Sequence, residues 1–76
     1  MKSYIFIVSE NVLPFKYEHI YVRASEKAIR QRMYVGGFLR FLSTLYCEDS
    51  EITEIAGQPV MSLSQFDEWR KEHGCC

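Results

Sequence analysis

Four carboxylates lie within seven residues in the second half of the chain, at Glu48, Asp49, Glu51 and Glu54. Such a cluster beside a turn can dock against a surface lined by Arg and Lys, because its charges imitate those of phosphate groups. The spacing lacks the alternating ligands and the central glycine of a calcium-binding loop. We therefore expect either a partner-binding acidic loop or a solvated loop that keeps a neighbouring hairpin soluble.

Lys27, Arg30 and Tyr34 form a second candidate site, since spacings of three and four residues place them on one stripe of a helix. Arg23 lies upstream of this stripe, and Arg40 adds a further cation downstream. Guanidinium and ammonium groups bind phosphates or carboxylates through charge-assisted hydrogen bonds. The alternative is a helix face that points into solvent and binds nothing.

Catalytic and metal-binding patterns are weak in this sequence. Cys47 could act as a nucleophile with His19 or His73 as its base, but no spacing fixes their proximity, and the acidic residues after Cys47 disfavour its thiolate. His73, Cys75 and Cys76 lack the four ligands and the paired spacing of a closed zinc site. The sequence therefore predicts no enzyme, no cofactor and no bound metal.

The length of 76 residues is that of one domain, which we expect to span residues 1–76 with residues 75–76 as a frayed tail. The net charge is −1, but residues 1–47 carry +4 and residues 48–76 carry −5. This asymmetry predicts a basic and an acidic region on one surface. No uncharged apolar run reaches the length of about 18 residues that spans a bilayer, so we expect a cytoplasmic protein without membrane contact.

The elements that must position these residues begin with two strands, over residues 2–9 and 15–24, which we expect to pair as an antiparallel hairpin. The first of them is apolar on both faces, which is typical of a central strand. Ser25 is a candidate N-cap, and a Glu26/Arg30 pair supports a helix that runs to about Val35, where Gly36 and Gly37 end or kink it.

The remaining elements follow from periodicity and capping. Apolar residues between 38 and 46 fall on one arc of a helical wheel, so we expect a second helical segment. Residues 52–61 predict a short edge hairpin around Ala56 and Gly57. Ser62 and Gln65 form a capping box for a helix from Leu63. In that helix we expect an Asp67/Lys71 pair, and Gly74 just after its end.

These elements predict an α+β fold, a small antiparallel β-sheet covered by helices in the order β-β-α(α)-β-β-α. The chain holds five Phe, five Tyr and one Trp, which is more apolar surface than one face of a small sheet hides. A homodimer or a standing protein partner is therefore as consistent with the sequence as a monomer.

The runs from Lys2 to Val8 and from Ile20 to Arg30, in which a hairpin leads into a Ser-capped helix, resemble small phage and mobile-element proteins of the anti-CRISPR type. The resemblance covers residues 1–35. It implies a protein that inhibits a larger complex by occupying its nucleic-acid-binding or protein-binding surface, with no catalytic residues to carry over.

The leading hypothesis is a non-enzymatic protein-interaction module that uses one charged face, the acidic or the basic candidate site, with exposed aromatic residues as anchors. One alternative is a small nucleic-acid-binding or regulatory domain that uses the cations Lys27, Arg30, Arg32 and Arg40. Another is a homodimeric structural subunit that pairs through its sheet and its aromatic second helical segment.

Overall fold

The computed structural model describes residues 2–11, 19–48 and 51–72. They form an α+β fold that consists mostly of strands. The elements in chain order are β1 (Tyr4–Glu10), β2 (Ile20–Ala24), α1 (Glu26–Gln31), β3 (Tyr34–Val35), β4 (Phe38–Leu39), β5 (Phe41–Glu48), β6 (Glu54–Ile55), β7 (Gln58–Pro59) and α2 (Leu63–Glu72). This order differs from the predicted one, because strands replace the expected second helical segment.

The main sheet has three antiparallel strands in the order β2-β1-β5. Strand β1 is central, as its two apolar faces predicted, and it pairs with β2 as expected. Phe6 of β1 lies opposite Val22 on one side and Leu45 on the other. The β1–β5 register shifts between Ile5 and Phe6, so that Tyr46 is the extra residue of a β-bulge in β5.

The prediction of a helical segment between residues 38 and 47 is wrong, and so is the extension of α1 to Val35. Gly36 and Gly37 both have positive φ, 60° and 83°, and they form the two-residue turn between β3 and β4. Two successive positive φ angles are typical of a hairpin turn and stop a right-handed helix. Beyond the turn, β5 gains its backbone hydrogen bonds from β1 instead of from its own residues.

Both helices begin at the predicted caps. The Ser25 hydroxyl accepts a hydrogen bond from the Ala28 N–H at 3.3 Å, and Glu26 pairs with Arg30 at 2.6 Å. Ser62 and Gln65 form the expected capping box, with distances of 2.8 and 3.3 Å. The β6–β7 hairpin also forms around Ala56 and Gly57, whose φ angles are 52° and 80°.

The core draws buried side chains from the sheet and from both helices. Its buried members are Phe6, Val8, Ile20, Val22, Ala24, Ile29, Met33, Phe41 and Phe66. The rings of Phe41 and Phe66 meet edge to face at 5.8 Å, and Trp69 packs within about 6 Å of both. This aromatic contact joins α2 to β5.

A charged contact joins α2 to the end of α1. Asp67 accepts hydrogen bonds from Arg32 at 2.8 Å and from Arg70 at 3.3 Å, and this arrangement replaces the predicted Asp67/Lys71 pair. Arg32 also donates to the carbonyl of Ala28 at 3.0 Å. Burial would raise the pKa of Asp67, but the hydrogen bonds and charges of the two arginines outweigh it and lower that pKa below its ordinary value.

The helices in the described part of the chain span six and ten residues, and neither has the length and apolar character needed to cross a membrane. The predicted role of Gly74 after α2 and the predicted frayed tail at residues 75–76 lie outside the described residues, as does the part of the second predicted strand before residue 19.

Candidate functional site

Strand β5 leaves one edge of the main sheet open over the described residues. The other edge is bridged at Val22, where the Met61 carbonyl accepts from the Arg23 N–H at 2.9 Å and the Met61 N–H donates to the Tyr21 carbonyl at 2.8 Å. On the outer side of β5, the described residues contribute a bond only at its start, where the Phe41 N–H donates to the Met33 carbonyl at 3.0 Å. An unpaired edge of this kind is a template for another strand.

The large apolar side chains that are exposed in the described residues all lie between positions 34 and 46. They are Tyr34 (55% exposed), Phe38 (56%), Leu42 (45%), Leu45 (55%) and Tyr46 (45%). We call Leu42, Leu45 and Tyr46 the β5 patch, because they follow the open edge. Exposed apolar residues grouped in this way are typical of a protein-interaction surface.

The alternation of strand side chains distributes the β5 patch over both faces of the sheet. Leu45 lies opposite Phe6 and shares the face of the core. Leu42 lies on the other face, where the Tyr46 ring packs edge to face against Tyr21 at 5.5 Å. A second strand added to this edge would therefore find an apolar side chain on each face.

Strand β5 has few of the features that usually protect an edge. Its eight residues include neither Pro nor Lys, and Glu48 at the end is its one charged residue. Natural edge strands are commonly blunted by charged residues, by proline or by bulges that turn the edge away. The charge of Glu48 and the bulge at Tyr46 are the two such features within β5.

Two surface grooves lie beside β5 and differ in their charged lining residues. The acidic groove is lined by Tyr4, Phe6, Glu26, Leu45 and Glu48, near the end of the strand. The basic groove is lined by Arg30, Met33, Tyr34, Leu39, Phe41, Leu42 and Ser43, near its start. The start of β5 thus lies beside Arg30, which pairs with Glu26, and its end lies beside Glu26 and Glu48.

The described members of the predicted acidic site lie in different surroundings. Glu48 lines the acidic groove with Glu26, which the sequence analysis named only as the partner of Arg30 in the first helix. Glu54 is exposed in β6, and Glu51 is exposed with a φ of 60°. Asp49 lies outside the described residues.

The predicted basic site is assembled in part. Lys27 and Arg30 line one groove along α1, and Arg30 and Tyr34 line the basic groove, although Tyr34 belongs to β3 and not to the helix. Arg23 lies in β2, where its guanidinium donates to the Ile52 carbonyl. Arg40 lies just before β5, and its carbonyl accepts from the Asn11 N–H at 2.8 Å.

The residues considered for catalysis are far apart where the structure describes them. The register sets Cys47 opposite Ile5, whereas His19 comes directly before Ile20, which lies opposite Val8 near the other end of β1. Cys47 is a free thiol. Over residues 2–11, 19–48 and 51–72, no group of three His, Cys, Asp or Glu side chains is arranged to hold a metal ion.

The β5 patch was not among the sequence-predicted sites, because the helical interpretation turned its residues toward a core. One signal in the sequence points to it, because the Gly36-Gly37 pair between apolar residues is a hairpin signal.

Compared with protein-family models, with curated proteins and with solved structures, the chain matches none of them significantly. The open edge of β5 is therefore the feature of this chain from which a function can be proposed.

Proposed function

We propose that this chain is a non-enzymatic protein-interaction module that binds its partner by adding a strand to the outer edge of β5. The observation that carries the proposal is an eight-residue edge strand whose outer side is open over the described residues and which bears three exposed apolar side chains. Strand addition to an exposed edge is a recurring mode of protein recognition.

The two chemical components of strand addition are both available at β5. The backbone N–H and C=O groups along the open edge supply hydrogen bonds to any strand of suitable shape. The β5 patch supplies selectivity, since Leu45 selects an apolar neighbour on one face while Leu42 and Tyr46 select one on the other. The cationic and anionic grooves set the direction in which a charged partner strand lies.

An inhibitory role, which the resemblance of residues 1–35 to anti-CRISPR-type proteins implies, is compatible with this mode. A small protein that joins a strand of a larger complex would occupy one of its surfaces without any chemical step. The proposal of an interaction module depends on the β5 edge, and the inhibitory role depends on the resemblance alone.

The geometry favours a protein partner over a nucleic acid. Several of the cations make intramolecular contacts, as Arg32 does with Asp67 and Arg30 does with Glu26. Glu26 lines one groove with Glu48 and a second groove with Lys27 and Arg30 of the basic candidate site. Nucleic-acid binding depends mainly on neutralising phosphates, which nearby carboxylates oppose.

Leu42→Lys and Leu45→Lys test the proposal, because each places a charge at the open edge without entering the buried core. Gln58→Lys is the matched control, since Gln58 is an exposed strand residue of the separate β6–β7 hairpin. Association is measured by sedimentation of the purified protein and by affinity recovery of partners from a cell extract. The proposal requires both edge variants to lose association that Gln58→Lys retains. Equal association by all three variants would contradict it.

A further inference from the structure

We propose that the strand added to β5 is the β5 of a second copy of this chain. The two strands run antiparallel about a two-fold axis and join the two sheets into one of six strands, in the order β2-β1-β5-β5-β1-β2. This inference rests on the proposed function, since it names the partner for the same open edge. Three features of β5 support it.

The first feature is that the middle of β5 is complementary to itself when reversed. A two-fold axis at Thr44 sets Leu42 of each copy opposite Tyr46 of the other. These residues share a face, because Leu42 and Thr44 lie opposite Ser9 and Ile7 of β1, and Tyr46 contacts Tyr21 on that face. Two half-exposed Leu–Tyr pairs would thereby cover one another, on either side of a pair of threonines.

The second feature is the charge along the edge. The same register sets Ser43, which lines the basic groove, opposite Leu45 of the other copy, which lines the acidic groove. Arg30 of each copy then approaches Glu48 of the other. The Arg30 side chain is 75% exposed, so it can exchange its surface contact with Glu26 for one across the interface. The antiparallel arrangement pairs opposite charges at both ends, whereas a parallel one would pair like charges.

The third feature is that pairing of the two β5 edges leaves neither β5 edge free for a third copy. In the described part of the chain, the β2 edge of the sheet is already bridged by Met61, and β5 provides the remaining edge. A two-fold contact uses the same surface on both copies, so association stops at two copies. Within the described residues, the dimer covers the outer edge of β5, which would otherwise be a template for further sheet growth.

The charge arrangement is tested by sedimentation equilibrium with Glu48→Arg and Arg30→Glu. The dimer of either variant contains two pairs of like charges, one at each end of the interface. We therefore expect the Kd for dimerisation to rise about tenfold. An equimolar mixture of the two variants restores the opposite charges and should recover dimers of wild-type affinity. Glu54→Arg is the matched control, because it changes the charge of an exposed carboxylate in β6 by the same amount.

The register is tested by cross-linking. Thr44→Cys, in a chain whose Cys47, Cys75 and Cys76 are replaced by Ser, sets two thiols opposite each other at the two-fold axis. Directly opposed residues of antiparallel strands lie at about 4.5 to 5.5 Å between Cα atoms, which a disulfide spans. Oxidised glutathione should convert this variant to a covalent dimer. The control, Thr53→Cys in the same background, places the thiol at an exposed position outside β5 and should stay monomeric under denaturing conditions.

The outcomes separate this inference from the proposed function. A wild-type protein that is a monomer at every concentration overturns the second copy as partner, while strand addition stands if Leu45→Lys still abolishes recovery of another protein. Dimers that persist in Leu45→Lys place self-association on another surface and overturn the inference. If both charge variants weaken dimerisation and their mixture does not restore it, the two-fold arrangement is overturned. Recovery in the mixture together with the Thr44→Cys cross-link supports it.

Discussion

Asp67 shows how a single carboxylate is fixed by the fold around it. Its contacts with Arg32 and Arg70 bring a residue of α2 against the end of α1, and they explain why the pKa of Asp67 falls although burial opposes the charge. A carboxylate whose pKa is lower in the folded than in the unfolded state stabilises the fold at pH values above its unfolded pKa. This stabilisation is lost as the pH falls through the folded value.

Asp67→Asn should therefore lower the free energy of unfolding at pH 7 by about 1 kcal/mol, a modest figure because the side chain is partly exposed to solvent. Urea denaturation at a series of pH values measures the effect. The difference in the free energy of unfolding between wild type and variant should shrink below about pH 4, where the carboxyl group of Asp67 becomes protonated in the unfolded state. A difference that stays constant from pH 7 to pH 2 would show that the charge of Asp67 contributes nothing.

Phe66 carries a larger share of stability, because it is fully buried and packs against both Phe41 and Trp69. Phe66→Ala should reduce the free energy of unfolding by about 3 to 5 kcal/mol, which is much of the margin of so small a domain. Phe66→Leu retains most of the volume and should reduce it by clearly less. Thermal unfolding followed by circular dichroism ranks the three proteins, and equal melting temperatures would contradict the described core.

Local sequence signals predicted some of the helices and strands correctly and failed for others. The N-cap at Ser25 and the capping box at Ser62 each lie within four residues of chain, and both were predicted. The central position of β1 also followed from its composition. Strand β5 could not be identified in this way, because its apolar residues fit a helical arc, and its hydrogen bonds come from β1 more than thirty residues away.

The wrong helical prediction for residues 38–46 also led to a wrong prediction of which of their side chains are exposed. The helical interpretation placed Leu42, Leu45 and Tyr46 on one apolar arc, so the candidate site residues were those of the charged clusters and Tyr34, and only the homodimer alternative used the aromatic helical segment. Pairing with β1 turns the same residues toward an open edge. Exposure of this kind depends on which strand lies beside which, and periodicity within one segment does not contain that information.

The Gly36-Gly37 turn decides between helix and hairpin in this region. A Cβ atom at Gly36 would meet nothing within 4 Å, so a substitution there acts through the backbone alone, whose φ is 60°. Gly36→Val should lower the free energy of unfolding by about 1 to 2 kcal/mol, whereas Gly36→Asn should have a much smaller effect, since asparagine tolerates positive φ. Urea denaturation measures the free energy of unfolding of both variants. Equal losses of this free energy in Gly36→Val and Gly36→Asn would contradict a turn with positive φ at residue 36.

At the scale of the whole molecule, the open edge of β5 connects the fold to the proposed function. The bridged β2 edge, the exposed apolar residues and the two grooves that differ in charge are the observations on which the proposal of association along β5 depends. Strand addition, as we propose it, would need no cofactor and no chemical step. Its specificity would come from the side chains that flank the backbone of the edge.

Amide hydrogen exchange along β5 tests this account most directly. We predict that, in the associated protein, amides between residues 42 and 48 that face away from β1 are protected, because the added strand accepts their hydrogen bonds. Leu45→Lys should remove that protection while leaving the amides of β1 unchanged. Rapid exchange of the outward β5 amides in an associated complex would show that the partner binds elsewhere, and it would contradict strand addition.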